Sequence, residues 1–467
     1  MAGKANKLQP VPVWLGRLRR ELRQLAMPAL STGQTGPLSV SFEVPVAESV
    51  APPAHVSRWL YLHQPDSQHR LLGLGMAHSI TAQGEQRFQQ LDAAYRQMQG
   101  NWTRISQGRG RAGARVFIGF AFDPDFQPQE DWQGFDNAGL YLPQLLFEWK
   151  KGRCVLTFNC YRDRAVSPEI IIRDWLARLR SVLYADASVS ETGASRVSET
   201  GASRVFLKKE LPTAASWQDG VSEAVSAMEN RQFDKVVLTR RLQLKFADEI
   251  SHRQMLPYLA QHYPGCTQLS VSFGRGILLA ATPEKLFDMS AEHLHCDALA
   301  GTYPAHQRWP DARMERHEHA PVVQAIRDAL QPLCTDIRTE QSARPLALRS
   351  LSHLYTPVRA VPRSGVRPLQ VLDELHPTPA VGGLPRQAAL TWIREHECYP
   401  RGWYTGAFGW LGDHQNASLS VILRCALIQE KTAQLYAGAG ITRVSDPGQE
   451  LRETGLKLEP MLNALLG

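Results

Sequence analysis

The stretch 233-FDKVVLTRR-241 sets a lysine into a short apolar run. As a strand it alternates, with Lys235, Val237 and Thr239 on one face and Val236, Leu238 and Arg240 on the other. An ammonium group sharing a face with valine is either solvated at a strand end or placed where water is scarce for a reason. The segment before it, 216-SWQDGVSEAVSAMENRQ-232, reads as a helix opened near a capping box by Ser216 and Asp219, with Val221, Val225 and Met228 on one face. Strand signals follow at 268-QLSVSFGRGILLAATPEKLF-287, 298-ALAGTYP-304, 402-GWYTGAFGWL-411, 419-LSVILRCALIQ-429 and 433-AQLYAGAGI-441, with a helix near 322–332. Helices and strands mix without a regular βαβ beat, which gives an α+β class.

The first half reads similarly. Strands are expected at 58-RWLYLH-63, 71-LLGLGMA-77, 115-RVFIGFAFD-123, 141-YLPQLLFEW-149 and 154-CVLTFNCY-161, separated by polar or helical stretches such as 84–99. A second helix opens at Pro168 and carries Ile172, Leu176, Leu179 and Leu183 at helical spacing. No acidic or histidine cluster converges here, so this half reads as structural. The octapeptide VSETGASR occurs at 189–196 and again at 197–204. Its small polar residues cannot offset the entropy of ordering, and it reads as a linker. The division expected is an N-terminal helix and flexible lead-in over 1–54, a structural region over 55–188, the linker over 189–204 and a catalytic region over 205–467.

With 467 residues and 43% hydrophobic content the chain can bury a large core. No run of eighteen apolar residues is present, so membrane insertion is not expected, and the basic N-terminus around Trp14, Leu15, Leu18 and Leu22 reads as a surface helix, not a secretory signal. Seven cysteines without a C-x-x-C pair suit a reducing cytoplasm. The net charge of +7 is not gathered into a stripe, which favours small anions and argues against nucleic acid as a partner. Without heptads a monomer is expected, with a dimer as the alternative.

Several residues in the second half carry chemistry. Glu284 follows Thr-Pro directly after an apolar strand, as a buried general acid or a solvated turn residue. Glu318 lies between His317 and His319, where an HExxH zinc motif fails because Pro321 takes its last position. Separated glutamates suit Mg²⁺ better, and Glu450 and Glu453 share a helix face with Lys457 one turn beyond; ordinary surface pairs are the alternative. Arg424 sits inside an apolar run, where a guanidinium needs an anion. The glycines of 436-YAGAGI-441 let backbone N–H groups approach a small anion, or mark a bulge. A polyanionic substrate held by Mg²⁺, arginine and backbone, with lysine and glutamate moving protons, accounts for them jointly.

FDKVVLTRR, TPEKLF, ALAGT, RHEHAPVV, LSHLYTPV, HPTPAVGGLP, YTGAFGW, YAGAGI and ELRETGLK together resemble the chorismate-utilising enzymes, and within them the isochorismate synthases of the menaquinone-pathway type. The resemblance covers 205–467, and FIGFAFDP extends it more weakly into the first half. It implies a large fold of two antiparallel-rich sheets flanked by helices, with chorismate as substrate. By that resemblance Lys235 is the base that activates water and Glu284 the acid that protonates the departing hydroxyl. Glu318 and Glu453 hold Mg²⁺, with Glu450 beside them. Arg424, Lys457 and Gly438 receive the substrate's carboxylates, and Gly301, Thr302 and His353 border the ring. The implied reaction adds water at carbon 2 and expels the hydroxyl at carbon 4. Lysine in place of the glutamine of the aminating relatives, and ALAGT in place of PIAGT, favour water over ammonia. A salicylate synthase, which goes on to eliminate pyruvate, and a siderophore-pathway synthase are the alternatives. A non-catalytic basic protein that binds anions or nucleic acid is the alternative outside enzymes.

Overall fold

Apolar runs with few polar interruptions belong to strands covered on both faces, and this chain builds two such sheets. The computed structural model describes residues 13–47, 52, 56–107, 114–162, 166–192, 205–305, 315–349 and 351–466. The first half holds helix α1 (Val13–Leu30), strands β1 (Gly36–Val44), β2 (Arg58–Gln64), β3 (His69–Leu74) and β4 (His78–Ala82), and helix α2 (Arg87–Gly100). After these come β5 (Thr103–Gln107), β6 (Val116–Phe120), β7 (Ala138–Leu142), β8 (Leu145–Lys150), β9 (Arg153–Arg162) and α3 (Pro168–Thr192). The second half opens with β10 (Val205–Leu211), α4 (Ala214–Glu229), β11 (Lys235–Phe246), α5 (Met255–His262), β12 (Thr267–Phe273) and β13 (Ile277–Thr282). It continues through β14 (Lys285–Met289), β15 (Leu294–Pro304), α6 (Ala320–Leu330), β16 (Cys334–Thr339), β17 (Arg344–Ala347) and β18 (Leu351–Pro362). Then follow α7 (Pro368–Leu375), β19 (Gly383–Leu384), α8 (Arg386–His396), β20 (Ala407–Leu411), β21 (Ala417–Val421), β22 (Cys425–Gln429), β23 (Thr432–Ile441) and α9 (Pro447–Leu466).

Among the described residues the larger sheet has 13 strands in the order β10-β11-β23-β22-β13-β12-β2-β3-β8-β9-β1-β5, with β19 added to β11. The smaller has 10 in the order β16-β18-β15-β14-β21-β20-β6-β7-β4, with β17 added to β18. The pairing is antiparallel except between β1 and β5. This is the expected α+β fold with two antiparallel-rich sheets. Both halves of the sequence contribute strands to both sheets, so 55–188 and 205–467 share continuous sheets.

Alternation sorts the side chains. In β2, Trp59 and Tyr61 face a core shared with α1, α3 and α5, while Leu60 and Leu62 face the interior between the sheets. That interior is filled by rings such as Phe117, Trp132, Phe135, Trp403 and Phe408, each contributing about 1.5–3 kcal/mol by burial. Helices α2, α6 and α7 cover the far face of the smaller sheet. Gly119 is required beneath Trp403, because a Cβ there would lie 2.2 Å from the indole.

Several boundaries differ from the sequence reading. The stretch 30–54 contains β1, a buried strand between β9 and β5, and so is more than a lead-in. Helix α1 buries Leu15, Leu18 and Leu22. Helix α4 starts before Ser216: Thr213 is the cap, its hydroxyl accepting the Ser216 N–H at 3.3 Å. Helix α3 runs to Thr192, through the first four residues of the octapeptide repeat, and 193–204 lie outside the described residues. The run at 402–411 becomes strand only from Ala407, after a turn in which Gly402 and Thr405 have positive φ.

Candidate active site

Two of the links by which the chain passes from one sheet to the other each carry a predicted site residue. Between β13 and β14 the link is Pro283-Glu284; between β21 and β22 it is Ile422-Leu423-Arg424. The crossings lie side by side, with the Val421 N–H donating to the Glu284 carbonyl at 3.1 Å and the Ala281 N–H to that of Arg424 at 3.2 Å. Arg424 is therefore not inside one continuous strand. It turns the corner with φ at +49°, which breaks the run of 419–429 in two.

Strand β11 brings Lys235 alongside β23, with Val237 opposite Gly440 and Thr239 opposite Gly438. A Cβ at Gly440 would come within 2.9 Å of Lys235 Cε, so that glycine makes room for the amine. Lys235 Nζ donates to the Glu318 carbonyl at 3.3 Å. Glu318 lies in a π-helical turn, Glu315–His319, that leads into α6. Pro321 consequently falls in the first turn of α6, at its join with the π-helical turn. From α9, Lys457 donates to the Gly438 carbonyl at 3.0 Å and pairs with Glu453 at 2.5 Å.

Strands β15 and β18 close the other side. A bulge between Ala300 and Thr302, with Gly301 at φ +75°, opens their register. His353 Nε2 lies 3.1 Å from Arg424 Nη2, and its Nδ1 lies 3.1 Å from Thr302 Oγ1. Because a guanidinium can only donate, Nε2 must accept, so the imidazole is neutral with its proton on Nδ1. Burial and the neighbouring Arg424 hold its pKa well below the ordinary histidine value.

Lys235, Glu284, Gly301, Thr302, Glu318, His353, Arg424, Gly438, Glu453 and Lys457 thus line one cavity. Glu450 is not in its wall; its carboxylate accepts from Ser445 Oγ at 2.8 Å. Lys235 is 4% exposed and Glu284 3%, which rules out a solvated strand end or turn for either. Burial lowers the Lys235 pKa, with Glu318 opposing and Lys457 assisting. Burial raises that of Glu284 to about 8, with Asp297 adding to the rise. Burial and Glu453 push Glu318 up to about 7, and burial and Glu453 push Glu450 up to about 8.

Among the described residues no three acidic, histidine or cysteine side chains stand close enough to hold an ion as they are. The chemistry of the donors still fits a hard divalent cation: Glu318 and Glu453 offer oxygen ligands alone, and their mutual repulsion is the cost such an ion removes.

Sequence reading missed residues whose partners are distant in the chain. Tyr404 and Thr405 line the cavity from the turn before β20. Arg401 and Glu397 form a buried pair at 2.6 Å, in which Arg401 donates to the Val237 carbonyl at 2.7 Å and Glu397 accepts the Thr239 N–H at 3.1 Å. The pair stands in for a strand along the edge of β11 between β19 and β10. The first half also holds a charged cluster, in which Glu148 takes His69 at 2.8 Å and Arg115 at 2.6 Å. It joins the two sheets away from the cavity.

The model of the family described as "Chorismate binding enzyme" matches residues 34–466. The salicylate biosynthesis isochorismate synthase of Pseudomonas aeruginosa is 33% identical, over 87% of this chain and 84% of its own. Isochorismate synthase MenF of Bacillus subtilis is 27% identical, over 86% of this chain and 87% of its own. In structure, MenF, the menaquinone-specific isochorismate synthase from Escherichia coli, superposes with a TM-score of 0.75 at 24% identity over 97% of this chain and 99% of its own. With a family model spanning nearly all of it and a relative one-third identical along most of both lengths, the chain belongs to the chorismate binding enzymes, as a member of their isochorismate-synthase family.

Proposed function

We propose that this enzyme converts chorismate to isochorismate reversibly and with Mg²⁺, with Lys235 as base and Glu284 as acid. The observation that carries the assignment is one cavity that makes a buried lysine a weaker base and a buried glutamate a weaker acid than usual. Both shifts favour the neutral forms, an amine able to take a proton and a carboxyl able to give one.

Arg424 and Lys457 receive the two carboxylates of the substrate, with the Gly438 backbone alongside, and His353 orients the guanidinium through its bare Nε2. Glu318 and Glu453 would hold Mg²⁺, with Glu450 as their neighbour; when bound, the ion supplies positive charge beside a substrate carboxylate. Lys235 Nζ takes a proton from water as its oxygen bonds to carbon 2. The ring's electron pairs shift from C1=C2 and C5=C6 to C1=C6 and C4=C5. Glu284 protonates the hydroxyl at carbon 4, which leaves as water. One water enters and one departs, so the reaction is an isomerisation without redox change. In the reverse direction the two residues exchange roles.

The test is product identification. Purified protein with chorismate and Mg²⁺ should accumulate isochorismate by mass-resolved chromatography and lose turnover in EDTA. Salicylate and pyruvate alone, formed without a separate lyase, would refute the assignment. Likeness to the two MenF proteins supports supply of menaquinone, which quinone content after gene deletion would test. All seven cysteines are free thiols, which supports a reducing, cytoplasmic location. We take the working unit to be a monomer, to be checked by light scattering.

A further inference from the structure

Glu284 sits on a short link, yet its backbone is fixed on each side. Its N–H donates to Thr282 Oγ1 at 3.3 Å, and its carbonyl accepts from Val421. The next peptide has a less usual partner. The Lys285 N–H donates to a side chain, Asp297 Oδ2 on β15, at 3.0 Å. Strands β14 and β15 pair only at Asp288 and Met289, so the Asp297 carboxylate bridges the gap where the ladder has not yet formed.

Its other oxygen is also engaged. Asp297 Oδ1 accepts from Tyr355 Oη on β18 at 3.0 Å and lies 2.9 Å from His295 Nε2. Strands β14, β15 and β18 therefore meet on one carboxylate, which makes a rigid anion beside the acid. The other charged groups that act on Glu284 are Arg424 from the second crossing, Lys235 from β11 and Lys457 from α9, all cationic. Each favours loss of the Glu284 proton; Asp297 is the anion opposing them.

We propose that Asp297 is the positioning residue of the acid, pinning the peptide that follows Glu284 and, by its charge, keeping the proton on Glu284 until the substrate hydroxyl takes it. This rests on the isochorismate synthase reading of the same site. It assigns Asp297 no contact with substrate. Electrostatics agree in direction, since Asp297 comes directly after burial among the causes that raise the Glu284 pKa.

The experiment is the pH profile of kcat for chorismate at saturating Mg²⁺, in wild type, Asp297→Asn and Tyr355→Phe. Asparagine retains an oxygen for the Lys285 N–H but removes the charge. The alkaline limb, which reports loss of the Glu284 proton, should move to lower pH by roughly one unit, with KM unchanged within about twofold. Tyr355→Phe keeps the charge and should leave the limb at or above the wild-type pH. An Asp297→Asn limb at the wild-type pH overturns the proposal. So does a downward shift in Tyr355→Phe, which also decides the matter should Asp297→Asn not fold. Failure of the wild type to form isochorismate would instead refute the underlying function.

Discussion

Lys235→Met separates the chemistry proposed for the amine from its contribution to packing. Methionine has a stem of similar volume, so the contact with Gly440 is retained and no cavity opens. What disappears is the proton acceptor and the 3.3 Å bond to the Glu318 carbonyl. General-base catalysis is worth about 10²–10⁴ in rate, so kcat should fall by that factor, about 2.7–5.4 kcal/mol in barrier. Chorismate binding should stay within about tenfold, or ~1.4 kcal/mol, because the carboxylate-binding groups remain. Stability adds an independent readout. The folded-state pKa of Lys235 lies below its unfolded value, about 10.4. Below the folded value both states carry the proton and the burial penalty is complete; between the two values the unfolded chain holds the extra proton, so wild-type stability rises with pH. The melting temperature of Lys235→Met relative to wild type should therefore be highest near about pH 6 and decline toward about pH 10. Stopped assays of turnover, equilibrium binding and melting curves across pH check all three. A variant retaining more than about a tenth of wild-type kcat would remove the lysine from the mechanism.

The glutamates make a linked prediction. The pKa values of Glu318 and Glu450, raised to about 7 and about 8, lie above the unfolded carboxylate value, so their folded forms are favoured at low pH and lose stability as pH rises through that window. Under the proposed reading Mg²⁺ would bind the ionised carboxylates, and its upward shift of the melting temperature should be larger near about pH 8.5 than near about pH 6; equal shifts would count against a carboxylate site. Arg424→Lys should raise KM for chorismate by about 10–150-fold, the equivalent of losing a charged hydrogen bond worth about 1.5–3 kcal/mol, because an ammonium cannot serve His353 and a carboxylate with the same fork; an unchanged KM would refute anion binding there. Glu397→Gln leaves Arg401, whose side chain is 2% exposed, without its counter-charge. Chemical denaturation should show a loss of about 3–5 kcal/mol, and a loss below about 1 kcal/mol would refute the bracing of β11 by this pair.

The strands were legible because both sheets are covered on both faces, so that RWLYLH and CVLTFNCY read as apolar runs. β1 was not, since its glycine, proline and serines resemble a linker, although its buried Ser39 and Ser41 bond to Asn159 and Thr157 on β9. The corner at Arg424 left no mark either: arginine is not a residue that signals positive φ, and apolar residues lie on both sides of it. Lys235, Arg424 and the glutamates could be found because charge inside an apolar run is conspicuous one residue at a time. Asp297 stands at the polar-to-apolar change in 293-HLHCDALAG-301 and Glu397 and Arg401 in the mixed run 394-REHECYPRG-402, neither of which marks a site, and their importance comes from pairings made only when distant strands meet.

The balance of charge in the cavity accounts for why the proposed base and the carboxylates proposed to hold Mg²⁺ are neighbours. A substrate dianion entering beside Lys235 and Glu284 stabilises the protonated form of both. For the acid this assists the reaction, and for the base it opposes it, since every anion brought close makes the amine harder to keep neutral. Lys235 is tied to Glu318 through a backbone carbonyl and not through the carboxylate, which leaves that carboxylate available to a cation. A dication held by Glu318 and Glu453 would counter both the substrate's charge and the pull of Glu318 on the lysine proton. Glu284 lies on the link between β13 and β14, beside Asp297, where an anion has the opposite and useful effect. The two proton-transfer groups thus require opposite fields within one cavity. With a cation held by the carboxylates on the α6 and α9 side, and Asp297 on the β15 side, each proposed proton-transfer group would have the field it needs.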